Sequence, residues 1–176
     1  EGVWEAVAMI GSDTRDYRRD SGENLYRRSM YTFWKRAAPP ASMDIFNAPS
    51  REVCTVRRER TDTPLQALVT LNDTQFIEAA RNLAQQALKQ GGQGDEGRAD
   101  IIARRLLARP FRPQESKIVL ASAAELLAHY KAHPDDAKKL LVVGESKADP
   151  ALDAATLAAW TMVVNQLMNL DEVLNK

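Results

Sequence analysis

A single cysteine, Cys54, leaves this 176-residue chain without any internal disulfide. Histidine is almost as scarce. His129 and His133, four residues apart, are the only two, and two ligands without an H-E-x-x-H pattern do not make a zinc site. A solvent-exposed or helix-ending role is the simpler reading for both, because an imidazole beside Pro134 suits a helix C-terminus. No C-x-x-C-H attaches a c-type haem, no G-x-S-x-G presents a nucleophile, and neither a P-loop nor a G-x-G-x-x-G fingerprint is present. Apolar runs fall well short of the roughly 20 residues of a membrane span, and no secretory leader is visible. Period-2 alternation is scarce too, which argues against a sheet. The opening Glu1-Gly2-Val3-Trp4 lacks an initiator methionine, so a piece of a larger protein is expected.

What remains is a globular composition. Apolar residues make up 44% and charged residues 27% of the chain, which does not fit intrinsic disorder. A domain of this length buries roughly 70% of the surface its unfolded chain exposes and needs no staple. The net charge is zero but unevenly placed: Arg15 to Arg60 carries eleven basic and six acidic residues, +5, and the remainder carries −5. A basic third of this kind attracts an anionic partner or is neutralised by the chain's own acids, and the second reading is favoured.

Along the chain the expected fold is all-α, an irregular bundle of six or seven helices with a long ordered polar connector, in one domain covering 1–176. A short helix is expected within 1–10 and a longer one over 24–37, where Tyr26, Met30, Phe33 and Trp34 share an arc. That helix interleaves rings with cations, as single-strand nucleic-acid platforms do. The rings fall on one face, however, so a core-facing helix is the expectation and nucleic acid is not an expected partner. Pro39 and Pro40 end it. Residues 38–62 lack periodicity, apart from a short strand expected at 53–56 with an inert, buried Cys54. Thr63 reads as an N-cap ahead of Pro64. From there the bundle of 63–176 begins, with breaks at Asn72–Asp73, the glycines of 91–94, Pro110, Pro113, Pro134 and 144–150. The strongest apolar stripe is Phe76, Ile77, Ala80, Leu83, Ala84, Ala87 and Leu88. The last helix, over 151–168, turns Leu152, Ala159, Trp160, Val163, Val164 and Leu167 inward.

One segment invites a functional reading. Residues 50–63 hold four arginines, three acids and three threonines. Arginine presents a planar fork of donors suited to carboxylate, sulfate or phosphate. Arg51, Arg57, Arg58 and Arg60, with Thr61 and Thr63, are therefore the candidate contacts for an anion, an acidic polysaccharide or another protein. Internal pairing with Glu52, Glu59 and Asp62 is the competing and favoured explanation. A hydrolase or redox site completed by other domains would draw on Glu52, Glu59, Asp62 and Asp73 as its acids. No catalytic residue, metal ligand or cofactor-binding residue is assigned. The leading expectation is a non-catalytic packing domain whose partners are other domains of its own chain.

Three stretches resemble one family. Leu25 to Arg36, Phe46 to Cys54 and Arg57 to Leu68 are similar to a domain of unknown function abundant in planctomycete bacteria, and Asn169 to Glu172 resembles its end. The likeness is dense over 1–90 and thinner over 91–150. In that family the domain is the C-terminal part of large proteins that often carry a cytochrome-c-like domain and a second uncharacterised domain. The resemblance implies a C-terminal position in an exported or envelope-associated parent protein, in the periplasm or cell envelope. It carries no established activity and no catalytic residues.

Overall fold

The computed structural model describes residues 3–35, 38–92 and 94–175. Its contacts divide the chain into two compact units, Glu1–Thr61 and Asp62–Lys176, and the division falls where the sequence passes from connector to bundle. The described residues hold nine α-helices and no strand, so the all-α expectation is met. Six of the helices are eight residues or longer, and all six lie in the second unit.

The second unit is built around one buried helix. Its helices are α3 (Pro64–Asn72), α4 (Thr74–Gln90), α5 (Asp95–Leu107), α6 (Pro113–Ala132), α7 (Pro134–Leu141), α8 (Ala154–Leu167) and the short α9 (Asp171–Leu174). Leu157 through Thr161 and Val163 through Asn165 of α8 are all buried, because α4, α6 and α7 pack around it. Ala80, Ala84 and Ala87 of α4 are completely enclosed, as is Ala158 of α8; side chains this small let neighbouring helices approach closely. Trp160, Leu157, Val163 and Ile102 fill the remaining volume. Phe76, Ile77, Leu83 and Leu88 of the expected stripe are partly buried at its margins.

Local sequence sets the helix ends. Thr63 accepts the amide of Gln66 while the Gln66 side chain accepts the amide of Thr63, a reciprocal cap with Pro64 at the first helical position. Asp73 ends α3 and caps α4 through the amide of Gln75, and Asp153 caps α8 through Thr156. The link from α4 to α5 runs through the glycine-rich break at 91–94. Gln93 lies outside the described residues, but its flanks pack backbone against backbone. A Cβ on Gly91 would come within 2.7 Å of Ala87 O and Arg98 N, and one on Gly97 would overlap Gly91 O.

The first unit departs from expectation. Its described residues hold only α1 (Val3–Ala6) and α2 (Ala41–Ile45), with 3-10 turns at Gly22–Tyr26 and Ser29–Tyr31. The helix expected over 24–37 is not formed; Arg36 and Ala37 lie outside the described residues. Arg27 and Arg28 are extended instead. A helix of that length needs an apolar face to bury, and no described residue of this unit is buried. Tyr26, Met30 and Phe33, expected in a core, are exposed. The carbonyls of Ser29 and Thr32 accept the Arg51 fork at 3.0 and 3.1 Å, and Ser29 O also accepts the Thr32 amide in the 3-10 turn. The strand expected at 53–56 is also absent. Val53 and Val56 are exposed without a pairing partner, and a lone strand has no ladder to hold it. Cys54, expected buried, is exposed.

Candidate functional site

The arginine segment separates into engaged and unengaged members. Arg51 sits at φ 64°, a strained region for a residue with a Cβ. Its guanidinium carbon lies 5.2 Å from the centre of the Trp34 ring while its two terminal nitrogens donate to Ser29 O and Thr32 O. Arg58 donates through Nε to Asn47 O at 3.0 Å and through a terminal nitrogen to Phe46 O. Thr61 accepts from Asn47 Nδ2 at 2.7 Å, and the Thr63 hydroxyl caps α3. Three of the six candidate residues thus hold backbone in place, which is what a segment without a regular ladder needs, and Thr61 ties to the Asn47 side chain. Arg57 and Arg60 are exposed and make no hydrogen bond or ion pair among the described residues. Of the acids, Asp73 is a helix cap, and the described residues contain no group of three or more His, Cys, Asp or Glu able to hold a metal.

The chemistry that the sequence reading missed lies inside the second unit. Arg81 is fully buried. It donates to the carbonyls of Leu141 (2.9 Å) and Val143 through one terminal nitrogen, and to Ser146 O (2.5 Å) and Ser146 Oγ (2.9 Å) through the other. It therefore satisfies the last carbonyl of α7, where a positive charge also opposes the helix dipole, and two carbonyls of the loop beyond it. Glu78, buried on the preceding turn, accepts the amides of Glu145 (3.1 Å) and Ser146 (2.7 Å). Gly144, just before these two residues, has φ +92°, and a Cβ there would overlap the Glu78 carboxylate. Further along α4, Asn82 donates to Ser146 Oγ, Gln85 accepts Asp149 N at 2.6 Å, and Lys89 pairs with Asp149 at 2.5 Å. Lys89, with the amide of Ala151, holds the Asp149 carboxyl below its ordinary value. Residues 78, 81, 82, 85 and 89 recur every three or four positions, so this stripe reads as a solvated face in sequence. The structure lays the 142–149 loop along it.

Two smaller polar groups complete the unit. Asn165 of α8, fully buried, donates to Thr70 O at 2.9 Å, and Thr70 donates its hydroxyl to Asn169. Arg109, after α5, grips Glu172 through Nε (2.9 Å) and a terminal nitrogen (2.7 Å), and grips Glu115 through both terminal nitrogens. Arg109 and the amide of Arg112 hold the Glu115 carboxyl down at about 2, from 4.5. A carboxyl depressed on folding stabilises fully above its unfolded value and loses that contribution as pH falls through its folded value. The urea midpoint is therefore expected to drop between about pH 4.5 and 2, and to drop less in Glu115→Gln. Because the pair is solvent-accessible, added salt should shrink the difference. Equal acid sensitivity of the two proteins would show that this cluster contributes nothing.

His129 and His133 are exposed, their rings stacked 4.6 Å apart at the end of α6. No helix among the described residues is long and apolar enough to cross a membrane. A family model described as PSD1, protein of unknown function (DUF1553), matches residues 5–123, more than half of the chain. No curated protein and no solved structure matches it.

Proposed function

The chain belongs to the PSD1 family of proteins of unknown function (DUF1553), and on that premise we propose that it is a non-catalytic domain that packs against another folded domain. One observation carries this reading. Helix α3 buries its polar Gln66 and Thr70 and exposes Leu65 (53%), Leu68 (58%) and Leu71 (39%). The three leucines are spaced three apart and so follow one side of the helix. An inverted amphipathic helix leaves its apolar face without a partner inside its own unit, and such faces mark contacts with other proteins. The occupant proposed is a neighbouring domain of the parent protein. From the likeness of residues 25–36, 46–54 and 57–68, that parent is proposed to be a planctomycete envelope protein carrying a cytochrome-c-like domain, with this domain at its C-terminal end.

Co-expression with the domain that precedes it in the parent protein, followed by light scattering, tests the proposal. A one-to-one complex is expected. Leu65→Asp together with Leu68→Asp should weaken it at least about tenfold, since charge is depleted from interface cores. The melting temperature of the isolated chain should stay nearly unchanged. Absence of a complex, or one indifferent to both substitutions, would count against the reading.

A second reading rests on Arg57 and Arg60, the exposed arginines that nothing among the described residues engages. They offer two forks to an anion or acidic glycan, with binding that weakens as salt rises.

A further inference from the structure

Within the first unit, Thr32, Phe33, Trp34, Ser50, Arg51 and Glu52 line a shallow cleft of about 470 Å³. That volume lies in the range of small-molecule sites. Both aromatic residues pack on neighbouring side chains. Phe33 packs on Trp4 with ring centres 5.5 Å apart, and Trp4 in turn meets Tyr17 edge-on at 5.7 Å. Trp4 donates its indole N–H to Thr14 O at 2.9 Å. Lys35 lies over the Trp4 ring at 4.7 Å and donates to Trp4 O and Thr14 O. On the other side Arg51 stacks against Trp34 and is fixed by two backbone carbonyls. Arg51 makes these contacts from a backbone φ of 64°. Strain of this kind persists where the surroundings over-determine it, and binding sites are where it gathers.

The lining has a particular chemistry. Two rings supply flat apolar faces, two hydroxyls and a carboxylate supply acceptors, and Arg51 has five N–H bonds, of which the two carbonyl contacts engage only part. Arg51 and Glu52 balance in charge. A ligand with an apolar face and a rim of alternating donors and acceptors fits this set, and a pyranose ring has both. We propose that the cleft binds a sugar residue of a glycan, with its C–H face on Trp34 and Phe33 and its hydroxyls on Ser50, Arg51 and Glu52. The site is separate from α3 and does not depend on the docking reading. It also differs from the second reading, which uses Arg57 and Arg60.

Titrating the full chain with a neutral β-glucan oligosaccharide and with an oligogalacturonide, at low and high salt, tests the cleft by tryptophan fluorescence and calorimetry. Saturable binding of either ligand is expected. Binding of the neutral sugar identifies hydroxyl recognition, and salt-sensitive binding of the uronide alone identifies a carboxylate read by Arg51. Trp34→Ala should weaken binding about tenfold or more and Phe33→Ala severalfold. Arg57→Ala/Arg60→Ala and Leu65→Asp/Leu68→Asp should bind as the unaltered chain does. Phe33 is more than half exposed (55%), so its removal tests the cleft even where Trp34→Ala disturbs the fold. No binding of either sugar at millimolar concentration overturns the proposal. So does binding that survives both ring substitutions and is lost with Arg57 and Arg60, which would leave the arginine reading standing alone.

Discussion

Replacing Arg81 by leucine is expected to destabilise the helical unit by about 3–5 kcal/mol, the range seen when one member of a buried charged network is removed. The substitution fills much of the same volume, so a cavity is not the main cost. The loss comes from the buried carbonyl at Leu141 and the partly buried carbonyls at Val143 and Ser146, which lose their donor; a buried carbonyl left unpaired costs about 1–3 kcal/mol, and a partly buried one less. Domains of ordinary stability have about 5–15 kcal/mol in all, so the melting temperature should fall by on the order of 10 °C. Arg81→Lys keeps the charge but replaces a planar fork with a single ammonium. It should recover less than half of the loss. Urea denaturation followed by helical circular dichroism measures both, and a midpoint unchanged in Arg81→Leu would show that water or rearranged backbone satisfies those carbonyls.

Trp160→Ala should cost a similar amount, about 3–5 kcal/mol, for a different reason. Trp160 is 3% exposed on the helix around which the unit is built, with α4, α6 and α7 packed on that helix. Truncation removes apolar contact and leaves a void that three helices can close only in part. The cavity mechanism predicts partial rescue: Trp160→Phe should lose much less than Trp160→Ala, because most of the volume returns. Arg81→Leu has no such rescue by size. The two substitutions therefore separate volume from hydrogen bonding in one core, and equal losses in Trp160→Phe and Trp160→Ala would contradict the cavity account.

The helices after Thr63 were legible because their signals are local. Thr63-Pro64 and Asp73 announce helix starts through side-chain oxygens that reach amides two or three residues on, and the alanine-rich stripe of α4 repeats at the helical period. The breaks expected at Pro113 and Pro134 coincide with the first residues of α6 and α7. Over 24–37 the same periodicity misled. An arc of rings favours a helix only where something covers it, and nothing in its own unit buries Tyr26, Met30 or Phe33. There the tertiary fork of Arg51, from 19 and 22 residues away, holds the carbonyls of Thr32 and Ser29 in a non-α-helical arrangement. Cys54, by contrast, gave no signal of exposure, since a cysteine between valine and threonine reads as buried.

The candidate site divides along the same line. Sequence singled out Arg51 and Arg58 for their donor forks, and a fork has no direction until its target is placed. The structure turns both onto backbone carbonyls within the first unit and leaves Arg57 and Arg60 exposed. Glu78 and Arg81 were overlooked because two charges beside an apolar stripe look solvated when the loop that covers them lies more than 60 residues away.

Taken alone, the residues settled the all-α class, the absence of a disulfide, the starts of the principal helices and the membership suggested by three short stretches. These rest on bonds and spacings within a turn or two of the chain. Which charges are buried, which leucines of α3 face outward, and which rings line a cleft were decided by the folded molecule. Each depends on groups distant in sequence sharing the same few ångströms, and no local pattern encodes that proximity.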